Sequence, residues 1–219
     1  MGEACRARGT PVVSGNVSFY NETLGEGAIP PTPTIGMVGL LKSVDSHVTA
    51  GFSGEGDAIV LLGQSFEELG ASEYLSVIHG LEAGFPPKLD LEVEKGLQAL
   101  LVEAARGGVL RSAHDLSEGG FAVGLAECAI FSGIGAEVRL ELKGLRPDAV
   151  LFGESASRAI VSCAKSDEAD LLALAGTHGV PCTRIGSPGG ARIRIEPGID
   201  IALDEAQHVW SRTLPEALG

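Results

Sequence analysis

A chain of 219 residues with 44% hydrophobic content is long enough for one large domain, or for one domain and part of another, and too apolar to remain disordered. Its formal net charge of -13 argues against nucleic acid or an anionic membrane surface as a partner, so a phosphorylated ligand needs local help from metal ions or backbone N–H groups. The four cysteines show no C-x-x-C spacing, and the sequence carries no secretory leader and no apolar run long enough to span a bilayer; these features predict reduced thiols in a soluble, cytoplasmic protein. In chain order, residues 2–9 read as the tail of a helix ending near Gly9, with nothing ahead of it to pack on. Residues 11–20 read as a strand. Pro30, Pro31 and Pro33 make residues 25–33 a loop, and residues 35–41 read as a second strand. The Gly- and Ser-rich stretch 51–56 is the expected domain boundary.

Beyond that boundary strands and helices interleave. Strands are expected at 58–62, 109–113, 136–140, 158–163, 183–185 and 192–195. Helices are expected at 72–78, 91–106, 119–131 and 167–177, with a last one starting near Asp204 as its cap. The helix over 91–106 is the clearest, because Leu97, Leu100, Leu101 and Ala104 recur at helical spacing and Gly107-Gly108 stops it. Such interleaving predicts an α/β or α+β fold, a mixed sheet flanked by helices.

Three segments carry chemistry. In Ser14-Gly15-Asn16-Val17-Ser18-Phe19-Tyr20, alternation places Val13, Val17 and Phe19 on a core face. Ser14, Asn16, Ser18 and Tyr20 then form a row of short polar groups on the other face. Gly15 lets a ligand approach the backbone. This face suits a ligand rich in oxygen, such as a phosphate or a metal-bound nucleotide. The second segment, His114-Asp115-Leu116-Ser117-Glu118-Gly119-Gly120, joins a strand end to a helix start, where anions are favoured. Asp115 and Glu118 would repel a bare phosphate, and a bridging Mg²⁺ removes that conflict. Equally, Ser117 or Asp115 could cap the helix while the glycines allow close packing, and His114 could be a base or a satisfied structural residue. In the third, Phe152-Gly153-Glu154-Ser155-Ala156-Ser157-Arg158, the carboxylate, hydroxyls and arginine either line a nucleotide pocket or form a turn with an Arg–Glu pair at the surface. No phosphate loop of the G-x-x-x-x-G-K-[ST] type, dinucleotide fingerprint, nucleophile elbow or histidine metal spacing is present.

The stretches TPVVSGNVSFYNET with IPPTPTIGMVG, then SAHDLSEGGFAVGLAE, then LFGESASRAIV, resemble phosphoribosylformylglycinamidine synthase in kind and order. The latter two are also similar to the wider superfamily of aminoimidazole ribonucleotide synthetase, selenophosphate synthetase and thiamine-monophosphate kinase. The resemblance is to the C-terminal portion of the synthetase subunit. It implies that residues 1–53 are the last strands of an ATP-binding, N-terminal-type domain and that residues 54–219 form an aminoimidazole ribonucleotide synthetase-like C-terminal domain. It implies ATP contact at Gly15, Mg²⁺ at Asn16 and contact with the substrate formylglycinamide ribonucleotide at Ser18. More weakly, it implies an auxiliary nucleotide and metal at Asp115 and Ser117. The implied reaction forms formylglycinamidine ribonucleotide in purine biosynthesis: ATP phosphorylates the amide oxygen, ammonia attacks and phosphate leaves. The family's catalytic His, ATP-binding Lys and Mg²⁺-binding Glu have no counterpart here. The expected partners are therefore the N-terminal half of the synthetase and a glutaminase subunit supplying ammonia, and the chain is expected to be inactive alone. A non-catalytic assembly module, or another member of the superfamily, is the rival reading.

Overall fold

A computed structural model describes the chain apart from residues 18–21, 24, 26, 30, 31 and 219, and the Thr23 side chain. Two compact units emerge, Met1–Val44 and Asp45–Gly219. In the first, α1 (Gly2–Arg8) ends as expected at Gly9, whose N–H turns back to the carbonyls of Arg6 and Cys5. Two short strands, β1 (Glu22–Thr23) and β2 (Gly27–Ala28), pair antiparallel.

The strands expected at 11–20 and 35–41 are corrected here. Residues 11–17 and 35–41 hold no regular secondary structure, and 18–20 lie outside the described residues. Val13 and Val17, assigned by alternation to a core face, are 91% and 71% exposed, and Val38 and Leu40 are 98% and 97% exposed. Phe19 lies outside the described residues. Alternation of side chains marks a segment able to pair, but a strand also needs a neighbour for its N–H and C=O groups. Among the described residues no strand pairs with either segment.

The second unit is built on β3 (Ala58–Leu62), β4 (Leu110–Asp115), β5 (Ala136–Arg139), β6 (Ala159–Cys163), β7 (Cys182–Pro188), β8 (Arg192–Glu196) and β9 (Ile199–Ala202). They form one seven-stranded sheet in the order β4-β6-β3-β7-β5-β8-β9. Every neighbouring pair is antiparallel except β5 with β8, which is parallel, so the sheet is mixed as the sequence predicts. Its helices are α2 (Glu73–His79), α3 (Leu91–Arg106), α4 (Gly120–Ser132), α5 (Pro147–Phe152), α6 (Glu168–Thr177) and α7 (Leu203–Leu218). Helix α5 and strand β9 were not anticipated. The last helix starts at Leu203, with Asp204 inside its first turn rather than at the cap position.

Side-chain parity divides the core in two. From β3, Ala58, Val60 and Leu62 meet Leu97, Leu100 and Ala104 of α3 and Leu171 and Ala175 of α6. Ile59 points the other way, to a larger core holding Phe121, Leu125 and Ala129 of α4, Val150 and Leu151 of α5 and Leu203 of α7. Strand β6 divides likewise, Val161 to one side and Ile160 to the other. A strand covered on both faces reads as a nearly continuous apolar run, which explains Ala-Ile-Val-Leu-Leu and Ala-Ile-Val-Ser-Cys, where the buried Ser162 hydroxyl is satisfied by Ser112 Oγ at 2.6 Å. Burying each of the larger side chains contributes roughly 1.5–3 kcal/mol. At the other end, β8 buries only Ile193 and Ile195, and its arginines face outward. Arg192 and Arg194 there pair with Asp200 of β9.

The helix ends follow local chemistry. Ser72 caps α2, its hydroxyl accepting from Leu75 N–H at 3.3 Å and donating to Leu69 O at 2.6 Å. Asp90 caps α3, one carboxylate oxygen accepting from Glu92 and Val93 N–H at 2.9 and 3.2 Å. The loop between β7 and β8 straddles β5: Gly135 N–H donates to Gly190 O and Gly189 N–H to Gly135 O, both at 2.8 Å. A Cβ at Gly135 would lie 2.3 Å from Arg192 O, so only glycine fits there. Among the described residues no helix is long and apolar enough to cross a membrane.

Candidate functional site

Strand β4 ends at Asp115, and the chain turns through Leu116, Ser117, Glu118 and Gly119 into α4. Leu116 is buried, while the Asp115, Ser117 and Glu118 side chains are exposed. The sequence left open whether Ser117 or Asp115 caps the helix. Neither does: Gly119 (φ 75°) is the capping residue and no side chain of its own bonds the helix end. Its N–H donates instead to Glu154 Oε1 at 2.9 Å. The packing role for the glycines is realised at Gly120 (φ 66°), where a Cβ would lie 2.5 Å from Gly153 O. Helix α4 thus approaches the end of α5 more closely than any side chain permits.

His114 is largely buried and fully engaged. Its Nδ1 lies 2.6 Å from the Asp115 carbonyl oxygen, which only accepts, so Nδ1 carries a hydrogen. Its Nε2 lies 3.3 Å from a carboxylate oxygen of Glu127 on α4, and its ring stacks on Phe131 at 6.1 Å. These contacts tie the end of β4 to α4 and favour the structural reading of this histidine. Nearby, burial first and the Glu127 charge second push the Cys128 thiol up to about 12, so it is no nucleophile at neutral pH.

The segment 153–158 is a junction rather than a surface turn. Arg158 is 2% exposed, and its Nε, Nη2 and Nη1 donate to Ser155 O at 2.9 Å, Gly153 O at 2.6 Å and Ser65 Oγ at 2.9 Å. Burial pulls its pKa down to about 10, against the charges of Glu68 and Glu154, so it stays cationic at neutral pH. Glu154 Oε1 also accepts from Glu73 N–H at 2.9 Å, at the start of α2. Ser157 donates to Glu94 Oε2 on α3 at 2.7 Å.

Between α3 and the end of β4 lies a cavity of about 390 Å³. Glu94 and Gln98 of α3, His114, Asp115, Ser157 and Arg158 give it polar walls, over a floor that includes Leu97, Leu101 and Ala159. Asp115 of the second segment and Ser157 and Arg158 of the third thus border one cavity, although the Arg158 guanidinium itself is turned to Ser65 and to the carbonyls of Gly153 and Ser155. Glu154, grouped with them in the sequence, is held instead by two backbone N–H groups. The contribution of Glu94 and Gln98 went unread, because both sit within an otherwise ordinary amphipathic helix.

Gly15 and Asn16 lie in the unit Met1–Val44, exposed and without regular secondary structure, and a Cβ at Gly15 would meet nothing within 4 Å. Ser18, the expected substrate contact, lies outside the described residues. Among the described residues no group of three or more His, Cys, Asp and Glu side chains converges to hold a metal.

Residues 54–194 match the family described as AIR synthase related protein, C-terminal domain. The chain belongs to that family. Over its whole length the family member is also 49% identical to the phosphoribosylformylglycinamidine synthase subunit PurL of Anaeromyxobacter sp. (strain Fw109-5), covering 30% of that protein. It is 47% identical to PurL of Moorella thermoacetica, over 98% of this chain and 30% of the relative. The chain thus spans about 30% of the length of the curated relatives it matches. Among solved structures, T. maritima PurL complexed with FGAR aligns at TM-score 0.66 and 20% identity, over 75% of this chain and 30% of that one. T. maritima PurL complexed with ATP aligns at TM-score 0.59 and 20% identity, over 75% of this chain and 28% of that one. At that identity the likeness speaks for the fold, a sheet flanked by helices.

Proposed function

We propose that this chain is the C-terminal part of an ATP-dependent ligase that converts formylglycinamide ribonucleotide to formylglycinamidine ribonucleotide, and that it is inactive without the rest of the synthetase. The observation that carries this reading is the match to PurL across all of the chain, residues 1–44 included. A shared C-terminal domain alone would fit any member of the superfamily. Coverage of the stretch that holds Gly15 and Asn16, which lies ahead of the matched domain, favours the PurL reaction.

In this reading Gly15 offers backbone to ATP, and the neutral amide oxygen of Asn16 is a ligand for Mg²⁺. The open surroundings of Gly15 and the exposure of Asn16 fit such contacts. Ser18 meets formylglycinamide ribonucleotide. The exposed carboxylate of Asp115 and the Ser117 hydroxyl are the donors for an auxiliary, magnesium-bound nucleotide beside the cavity. One carboxylate suits Mg²⁺, which takes most of its oxygens from phosphate and water. When bound, ATP with Mg²⁺ supplies the phosphoryl group that activates the amide oxygen and the charge neutralisation that transfer requires. This chain's own residues orient and hold; ammonia comes from a separate glutaminase subunit.

Combining the chain with the N-terminal portion of a PurL relative tests the proposal. ATP, Mg²⁺, formylglycinamide ribonucleotide and ammonium should then yield ADP, and Asn16→Ala should lower turnover by roughly 100-fold or more. Unchanged turnover in that variant would favour an assembly role. Turnover with thiamine monophosphate or selenide instead of the ribonucleotide would assign the chain elsewhere in the superfamily.

A further inference from the structure

We propose that Glu154 is a positioning residue for the Asp115–Ser117 turn, held in place by the buried guanidinium of Arg158. The inference rests on the reading above that this turn meets a magnesium-bound nucleotide. Glu154 does not line the cavity, so any influence on a ligand passes through the turn.

The turn is pinned at both ends by one segment. At its start, Leu116 N–H donates to Arg158 O at 3.1 Å. At its finish, Gly119 N–H donates to Glu154 Oε1 at 2.9 Å. Between these anchors Ser117 and Glu118 stand exposed. The Glu154 carboxylate is itself fixed from two sides. The same oxygen accepts from Glu73 N–H, joining the start of α2 to the start of α4. The carbonyls on either side of Glu154, those of Gly153 and Ser155, both accept from the Arg158 guanidinium, which brackets the residue. Ser155 Oγ accepts from Phe66 N–H at 3.1 Å and secures the bracket to the loop after β3.

Hydrogen bonds from backbone N–H groups to a carboxylate are stronger than neutral ones. A turn set beforehand by such bonds spares the ligand the cost of ordering it. Glu154 therefore acts on Asp115 and Ser117 by fixing the backbone that carries them. Its negative charge also stands at the start of α4, where the helix dipole favours an anion.

The test uses the full chain with Glu154→Ala and Glu154→Gln, amide hydrogen exchange at Gly119 and Glu73, and titration with Mg·ADP. In Glu154→Ala both amides should exchange roughly ten-fold faster or more, with β3 and β6 still protected. Affinity for Mg·ADP should fall roughly 10- to 100-fold. Glu154→Gln keeps an oxygen in place and should recover most of both. Should Glu154→Ala lose protection in β3 and β6 as well, Glu154→Asp, whose shorter arm misses Gly119, takes its place. Unchanged exchange at Gly119 overturns the proposal. So does weakened binding with Gly119 still protected, which would make Glu154 a direct contact, and so does a glutamine variant as impaired as alanine. A wild-type chain that does not bind Mg·ADP overturns the nucleotide reading of the turn, while Gly119 exchange still judges the strut by itself.

Discussion

Residues 1–44 and residues 45–219 match the same relatives yet are built differently. The second unit closes two apolar cores around its sheet. The first buries none of the residues of its helix and leaves Val13, Val17, Val38 and Leu40 largely uncovered. Gly15 and Asn16, the proposed ATP and Mg²⁺ contacts, stand in the first unit, among whose described residues none is buried. The residues proposed for ATP and Mg²⁺ thus lie among exposed neighbours, whereas the turn at Asp115–Gly120 is carried by a packed sheet and helix.

Substitutions should separate the two units sharply. Phe121→Ala, in the larger core, should cost about 3–5 kcal/mol in a urea titration. A cost near zero would mean that the sheet's second face is not packed as described. Arg158→Met should cost on the order of 3 kcal/mol, because the Gly153 and Ser155 carbonyls and the Ser65 hydroxyl lose their donor inside the protein. Thiol chemistry gives a smaller effect. Burial raises Cys128 to about 12, and Cys163 and Cys182 each to about 11. The stability these neutral thiols contribute is fully present below their ordinary value of 9.0 and is lost as pH climbs through the raised values. The urea midpoint should therefore fall between about pH 9 and about pH 12, and less so once all three are replaced by alanine in a background that still folds. At about pH 8 a thiol reagent should label Cys5 in the native chain and reach the buried Cys128 and Cys163 only after unfolding. Least of all, Val38→Ser should shift stability by no more than about 0.5 kcal/mol. A larger loss would show that the first unit buries this residue in solution.

Much of the second unit was legible because its cues are local. The Leu97, Leu100 and Ala104 stripe marked α3, and short, largely apolar runs marked β3 and β6. Helix α5 escaped notice because six residues are too few to display a period, although Pro147 at its first turn was a usable start signal. Strand β9, Ile-Asp-Ile-Ala, was too short to stand apart from the turn before it. The strands expected at 11–20 and 35–41 failed, over their described residues, for the opposite reason: alternation was clear in the first and apolar content in the second, but pairing is a property of two segments. At the site, the His114–Gly120 motif was visible as a strand-to-helix turn. The reach of Glu154 to Gly119 and Glu73 was not, since a carboxylate in a sequence gives no sign of which distant N–H it will meet.

The placement of β5 between β7 and β8 bears on how the sheet comes together. Strands β7 and β8 are consecutive, yet β5, formed much earlier in the chain, occupies the slot between them. A zipper running hairpin by hairpin cannot make this arrangement, because β7 and β8 must stand apart to admit a strand whose Ala136 and Val138 belong to the core shared with α4. Ala136 pairs with both Pro188 and Ile193, so closing that edge joins segments distant in the chain, and such contacts carry the entropy of long loop closure.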